Sequence, residues 1–283
     1  MKEEPFAPLD PGLYREVVRR ALAEDLRRGD ITTEAAVLSD AHATGEVQTN
    51  RGCVLAGMDV GLEVFLQLDP KAQVTHAHQD GETCEAGETI LRLSGFASAL
   101  LTAERTALNF LQRLSGIATL TRRFVDAAGA RTTILDTRKT TPTLRVLEKY
   151  AVRAGGAVNH RLALDDGLLI KDNHVRVAGS IATAVEKLRA TDHDLPIEVE
   201  AHSLDEVDEA LDARAAIVLL DNFSPDQRRA AVERCRGRAQ TEVSGGITLA
   251  DIDTIAALGP DYISVGALTH SAPAIDMSFE IVS

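Results

Sequence analysis

Six short clusters carry residues able to do chemistry: Asp136-Thr137-Arg138-Lys139, Lys171-Asp172-Asn173-His174, Glu200-Ala201-His202, Asp221-Asn222, Ser244-Gly245-Gly246 and Ser264-Val265-Gly266. Each follows or closes a short apolar run. Arginine forks recognise carboxylates and phosphates bidentately, and lysines add compact positive charge. Glu200 and Asp221 can hold Mg²⁺ or face a developing cation, because one or two carboxylates suffice for that ion. The last two clusters lack bulk, which suits capture of a phosphate by backbone N–H groups. Either glycine turn alone reads equally well as a tight turn; together they favour a phosphate cup. The expected substrate is therefore a polyanion with a phosphate handle. Zinc chemistry is disfavoured, since His160, His174 and His202 have no helix-face i,i+4 pairing and no cysteine nearby. Ser–His hydrolysis is disfavoured by the missing G-x-S-x-G elbow.

Such clusters need elements to bring them together. Apolar β-type runs at 133–135, 168–170, 197–199, 217–220, 240–243 and 262–265 alternate with helical segments near 141–154, 179–190, 204–212, 224–235 and 248–258. Ser203 with Glu206, and Ser224-Pro225, are helix starts. Six strands alternating with helices predict a parallel sheet, either doubly wound or closed into a barrel. No G-x-G-x-x-G follows a strand, so a dinucleotide-binding sheet is the weaker option. In a barrel, the C-terminal strand ends converge on one mouth, which would gather all six clusters. Upstream, Asp10-Pro11 opens an amphipathic helix with Leu13, Val17, Val18, Ala21 and Leu22 on its apolar face. Short β-type runs follow around 43–49, 52–56 and 72–78, with a helix near 58–68 and a turn-rich strand pair over 81–91. A helix from Ala97 to about Ala128 is predicted to break at Ser115-Gly116.

The 283 residues carry a net charge of −13, with 45% hydrophobic and 26% charged residues, an ordinary globular balance. An acidic chain with 4% aromatics and no Trp is a poor nucleic-acid binder. The charge is uneven: residues 101–175 hold 12 basic and 7 acidic side chains, a local +5 that leaves −18 elsewhere. This island fits a focused polyanion site. Within it Arg122, Arg123, Arg145 and Lys149 read as solvated helix faces. No apolar stretch is long enough for a membrane span, and MKEEPFAPLD has no signal-peptide core. Cys53, Cys84 and Cys235 make neither a disulfide framework nor a metal finger, and read as free thiols in a reducing cytoplasm.

Several strings closely resemble the quinolinate phosphoribosyltransferase family: Arg105-Thr-Ala-Leu-Asn-Phe-Leu-Gln-Arg-Leu-Ser-Gly-Ile-Ala-Thr, Asp136-Thr-Arg-Lys-Thr-Thr-Pro, Gly155-Gly-Ala-Val-Asn-His-Arg, Leu169-Ile-Lys-Asp-Asn-His, Glu198-Val-Glu and Glu242-Val-Ser-Gly-Gly-Ile. The resemblance runs from about Asp25 to the C-terminus. It implies an α/β fold: an N-terminal α+β sandwich-like domain (1–112, with 268–283 returning to it) beside an incomplete TIM-like barrel (113–267). It implies transfer of the phosphoribosyl group of phosphoribosyl pyrophosphate to quinolinate, with loss of CO₂, giving nicotinate mononucleotide for NAD synthesis. Arg105, Arg138, His160, Arg161 and Lys171 would surround the quinolinate carboxylates. Lys139, Glu200, Asp221, Ser244, Gly245, Gly246 and Gly266 would meet the phosphoribosyl group and Mg²⁺-pyrophosphate. Thr137, Ser264 and Val265 join the binding set as neighbours in the strand-end clusters, and Lys139, Lys171, Glu200 and Asp221 are the expected catalytic residues. The family resemblance further implies a homodimer in which Arg105 is lent across the interface. Rival readings are a phosphoribosyltransferase acting on another pyridine carboxylate, and a barrel aldolase using Lys171 or Lys139 as a Schiff base.

Overall fold

A computed structural model describes residues 7–191 and 194–283. The chain divides into two compact units. The first comprises residues up to Arg122, Thr140–Gly156 and Ser271–Ser283; the second comprises Arg123–Lys139 and Ala157–His270.

In the first unit, Asp10 caps a 3-10 turn at Pro11–Leu13, and helix α1 (Arg15–Leu26) follows. Its buried side chains are Val18 and Leu22, continued by Tyr14 before it, while Leu13 is exposed. A short α2 (Ile31–Ala36) follows Asp30, whose carboxylate accepts from Thr33 N. The elements β1 (His42–Thr49), β2 (Cys53–Val54), α3 (Met58–Leu68), β3 (Gln73–Ala77), β4 (Thr83–Cys84) and β5 (Thr89–Phe96) come next. The β-type runs around 43–49, 52–56 and 72–78 and the turn-rich pair over 81–91 were legible, but α2, only six residues long, shows no periodicity to read.

Helix α4 (Ala97–Ala128) runs unbroken through Ser115-Gly116, contrary to the expected interruption. Ser115 Oγ accepts from Ala56 N (3.1 Å) and is aimed back at Ala56 O (3.3 Å). A Cβ on Gly116 would stand 2.2 Å from the Pro273 carbonyl oxygen. The pair is therefore small for close packing, not for helix termination.

Two further elements complete this unit. Helix α5 (Arg145–Ala154) belongs to it, although the strand–helix rhythm assigned that segment to the barrel. Buried partners explain the difference: Arg113 Nη2 donates to Glu148 (2.8 Å), and Tyr150 Oη donates to Asp80 (2.6 Å). The C-terminal strand β12 (Met277–Ile281) pairs antiparallel with β1 in a sheet ordered β12-β1-β5-β3. Gly45 leaves room for Phe279, whose ring lies 5.6 Å from that of Phe65.

The second unit holds six parallel strands: β6 (Thr133–Leu135), β7 (Leu168–Ile170), β8 (Ile197–Ala201), β9 (Ile217–Asp221), β10 (Gln240–Ser244) and β11 (Tyr262–Ser264). Their order is β6-β11-β10-β9-β8-β7, so the first strand pairs with the last while β6 and β7 do not pair. This is the strand order of a barrel left open at one seam. Helices α6 (Asp172–Ala178), α7 (Ile181–Arg189), α8 (Leu204–Asp212), α9 (Pro225–Cys235) and α10 (Ile252–Ala256) make the crossovers, with α11 (Ala267–His270) after β11 and β12 (Met277–Ile281) closing the chain. Ser203 and Ser224 cap α8 and α9 as expected. The helix expected near 179–190 is α7, and it is preceded by α6, a short helix the rhythm did not show, which Gly179 at φ 101° stops. Among the described residues no helix is long and apolar enough to cross a membrane.

Candidate active site

Side chains alternate across a strand, so Glu198 and Glu200 share one face of β8, as do Glu242 and Ser244 on β10. Ser244 is in register with Asp221 on β9, and its hydroxyl accepts from Ser264 Oγ at 2.9 Å. The parallel register thereby sets Asp221, Ser244 and Ser264 side by side at neighbouring strand ends.

Two layers of polar groups follow from this. In the outer layer, Lys171 Nζ donates to Glu200 Oε2. His202 bridges the acids, with Nε2 3.3 Å from Glu200 Oε1 and Nδ1 3.7 Å from Asp221 Oδ2. Asn222 Nδ2 donates to Asp221 at 2.8 Å. Asn222 adopts a left-handed backbone (φ 57°) beside Gly245 (φ 95°), where a Cβ would fall 2.3 Å from Asn222 Oδ1. Only glycine fits there, and the turn leaves Gly246 open, with nothing within 4 Å of where its Cβ would stand. Lys139 leans over Gly266, its Cδ 3.1 Å from where a Cβ would stand. Its carbonyl accepts from Thr269 Oγ1 (2.8 Å), and its N–H donates to Thr137 Oγ1 (3.0 Å). The ends of β6 and β11 are thus stitched together.

The inner layer is an ionisable triad. Buried Asp136 accepts from His160 N (2.8 Å) and Asn159 Nδ2 (2.7 Å), which fixes the chain beside β6. His160 Nε2 then lies 3.2 Å from Glu198 and 3.5 Å from Glu242, both buried. Burial works against a charged imidazole, and hydrogen bonds to Glu198 and Glu242 work for it. Its Nδ1, however, accepts the Arg161 N–H at 2.8 Å, a bond that a second ring proton would displace. That backbone bond selects the neutral ring with its proton on Nε2. Proton demand then falls on Glu198, whose pKa is raised by burial and by Glu242 beyond what His160 offsets. Glu198 Oε1 has no hydrogen-bond partner.

Arg161 follows His160 directly, and its Nη1 donates to Gly167 O at 3.3 Å. Burial, then the nearby positive charge of Arg138, lowers its pKa. Two guanidinium groups close enough to repel one another mark a place for an anion.

The second unit brings together Thr137, Arg138, Lys139, His160, Arg161, Lys171, Glu200, Asp221, Ser244, Gly245, Gly246, Ser264, Val265 and Gly266. Arg105 belongs to the first unit; it is exposed on α4, with Glu104 3.8 Å away. The family descriptions of the quinolinate phosphoribosyl transferase N-terminal and C-terminal domains match residues 30–115 and 117–280.

The chain belongs to the quinolinate phosphoribosyltransferase family. A relative from Mycobacterium leprae, nicotinate-nucleotide pyrophosphorylase [carboxylating], is 45% identical over 94% of this chain and 96% of its own length. A Bacillus subtilis protein named as a probable enzyme of that kind is 41% identical over 94% of this chain and 93% of its own. The solved nicotinate-nucleotide pyrophosphorylase of Francisella tularensis superposes with a TM-score of 0.94 at 43% identity, covering 99% of this chain and all of that one. The mixed α/β architecture with an open parallel barrel is therefore the fold of this transferase family.

Some site residues escaped the sequence reading. His202 and Asn222 were visible only as strand-end polar residues, and His270 was not singled out, though its Nε2 lies 3.1 Å from where a Cβ on Gly266 would stand. Glu198 and Glu242 could have been found by period two, since each stands two residues before a strand-end group. The basic island is less focused than its charge suggested. Arg113 pairs with Glu148, Arg122 Nε donates to Gly155 O, and Arg131 pairs with Asp253. Lys149, expected to be solvated, is buried.

Proposed function

We propose that the chain is a quinolinate phosphoribosyltransferase, making nicotinate mononucleotide, CO₂ and pyrophosphate from quinolinate and phosphoribosyl pyrophosphate in the cytoplasm. The observation that carries this reading is the meeting, on one set of strand ends, of an arginine pair, a lysine–acid network and a glycine turn. Arg138 and Arg161 take the two ring carboxylates by bidentate contact. Both ring nitrogens of His160 are engaged, so its part is to place Arg161. Ser244, Gly245, Gly246, Ser264, Val265 and Gly266 form the cup for the 5-phosphate, and Lys139 reaches over it. Glu200 and Asp221 face C1 of the ribose, where departure of pyrophosphate leaves positive character. Lys171 holds Glu200 in place and adds charge toward the carboxylates. After ring nitrogen bonds C1, loss of CO₂ leaves an electron pair on the carbon beside the pyridinium. That positive charge stabilises the pair until a proton arrives. No covalent nucleophile is needed.

The donor set Glu200, His202 and Asp221 fits a divalent cation, its ligand atoms all lying within 4.8 Å of one another. Two carboxylates suit Mg²⁺, and these residues would hold it. Such an ion would supply charge neutralisation to the leaving pyrophosphate. The Lys171–Glu200 pair weighs against the aldolase reading, because an amine tied to a carboxylate is not free to attack a carbonyl.

Arg105 is the residue that points to a two-fold dimer with composite sites: it lies on α4, outside every strand end, within the longest family-like string. Release of labelled CO₂ from quinolinate, dependent on phosphoribosyl pyrophosphate, tests the activity. Mixed Arg105→Ala and Glu200→Ala dimers test the composite site. Each homodimer should be nearly inactive, and subunit exchange should restore about a quarter of wild-type activity, since half the dimers are hybrid and each has one intact site. Confirmed exchange without recovery would remove Arg105 from a shared site.

A further inference from the structure

The three cysteines are free and buried, but two of them are neighbours. Cys53 on β2 and Cys84 on β4 are direct register partners in an antiparallel ladder. Residues so paired have Cα atoms about 4.5–5.5 Å apart. A disulfide needs roughly 4.4–6.8 Å, so this backbone accepts one without moving its strands. The sulfurs also have suitable company. Thr49 Oγ1 lies 3.6 Å from Cys53 Sγ, and His78 Nδ1 lies 3.8 Å from Cys84 Sγ. His78 is itself held by Glu82 at 2.9 Å and Glu88 at 3.3 Å. The third thiol, Cys235, lies on α9 in the second unit.

We propose that Cys53 and Cys84 are a redox modification site, forming a reversible cross-strand disulfide when the protein meets a hydroperoxide. Hydrogen bonding from the Cys84 thiol draws the Cys53 pKa down despite burial, and the same bond raises that of Cys84, which sets the order of events. The Cys53 thiolate attacks the peroxide oxygen, the O–O bond breaks, and water leaves after protonation. The resulting Cys53 sulfenic acid is attacked by Cys84 sulfur. The S–O bond breaks, the Cys84 proton leaves with the hydroxyl as a second water, and the S–S bond forms. In sum two thiols lose two electrons and two protons, and one hydrogen peroxide becomes two waters. Burial slows entry of the oxidant, but β2 and β4 are two residues each, and so short a ribbon opens locally at little cost. Cys235, its thiol pushed up to about 11 by burial, is the internal control.

The closed bond would tie a segment containing α3 and β3 into a loop. Its start is already fastened to α4, where Thr119 Oγ1 accepts from Val54 N at 2.9 Å. Oxidation should therefore raise the melting temperature of the whole protein.

The test treats the full chain with hydrogen peroxide, blocks remaining thiols, and measures thiol count, intact mass and the joined peptide. The expected result is a fall from three titratable thiols to one and a mass lower by two hydrogen atoms, both read before blocking, and one cross-linked peptide containing Cys53 and Cys84. Dithiothreitol should reverse all three. In Cys84→Ser the reaction should stop at a Cys53 sulfenic acid that dimedone captures. Oxygen addition to either cysteine of the wild type without cross-linking would overturn the proposal. So would consumption of Cys235 at the same rate, or no loss of thiols at all. The wild-type measurement decides even if the variant does not fold.

Discussion

Glu148 in the first unit and Glu198 in the second are both shut off from solvent, yet their surroundings differ in kind. Glu148 Oε1 accepts from Arg113 Nη2 (2.8 Å), Arg113 Nε (3.2 Å) and Thr141 Oγ1 (2.7 Å), and Oε2 accepts from Thr141 N (2.9 Å). Its charge is matched and its lone pairs are used. Glu198 has a neutral histidine on one oxygen, nothing on the other, and a second acid, Glu242, facing the same ring. The first arrangement holds a helix in place. The second leaves an ionisable group under strain beneath a mouth lined with cations and acids, which is how sites that must rearrange around a substrate differ from scaffolds.

The largest expected effect would break this comparison if it failed. Glu148→Gln leaves the half-buried Arg113 guanidinium without its counter-charge and should cost about 3 kcal/mol in urea unfolding. Glu198→Gln removes a carboxylate whose ionisation burial already opposes, and should change stability by less than about 1 kcal/mol. Equal losses for the two variants would show that both acids are scaffold.

A smaller effect sharpens the functional half. Arg161→Lys keeps the charge but loses the fork, so quinolinate binding should weaken by about 1–3 kcal/mol, the usual range for a charged hydrogen bond. Phosphoribosyl pyrophosphate binding should hardly move. Calorimetry with each substrate checks this, and equal weakening of both would remove Arg161 from carboxylate recognition.

The smallest effect concerns a half-exposed acid. Asp30 is held below the usual carboxylate range, first by the Thr33 hydroxyl and then by the Thr33 N–H. A carboxyl depressed in the folded state adds stability above its unfolded pKa, and that stability disappears as pH falls through the folded value. Asp30→Ala should therefore cost about 1 kcal/mol at pH 7, as helix-capping losses do. The gap from wild type should close below about pH 4. A gap constant down to strongly acid pH would mean that the loss comes from packing rather than from the cap.

Much of the barrel was legible because its strands are short apolar runs that end abruptly in polar residues. The same abruptness exposed Lys171, Glu200, Asp221 and Ser244 as candidates. Glu198 and Glu242 were hidden for the opposite reason. An acid within a strand reads as solvent-facing unless what covers that face of the sheet is known, and here Glu198 and Glu242 are both buried. Ser115-Gly116 misled in a similar way, since a breaker pair and a close-packing pair have the same composition.

What the sequence by itself determined is local: strand and helix positions, the Ser203 and Ser224 caps, the polar strand ends, and strings specific enough to mark a family. These depend on neighbours within a few residues, where propensity, period and capping act. Only the tertiary structure decided which unit takes residues 140–156, that β6 and β7 stay unpaired, that His202 bridges Glu200 and Asp221, and that Cys53 faces Cys84. Each of those outcomes depends on groups far apart in the chain, and burial and register, which no local pattern encodes, select among their possible partners.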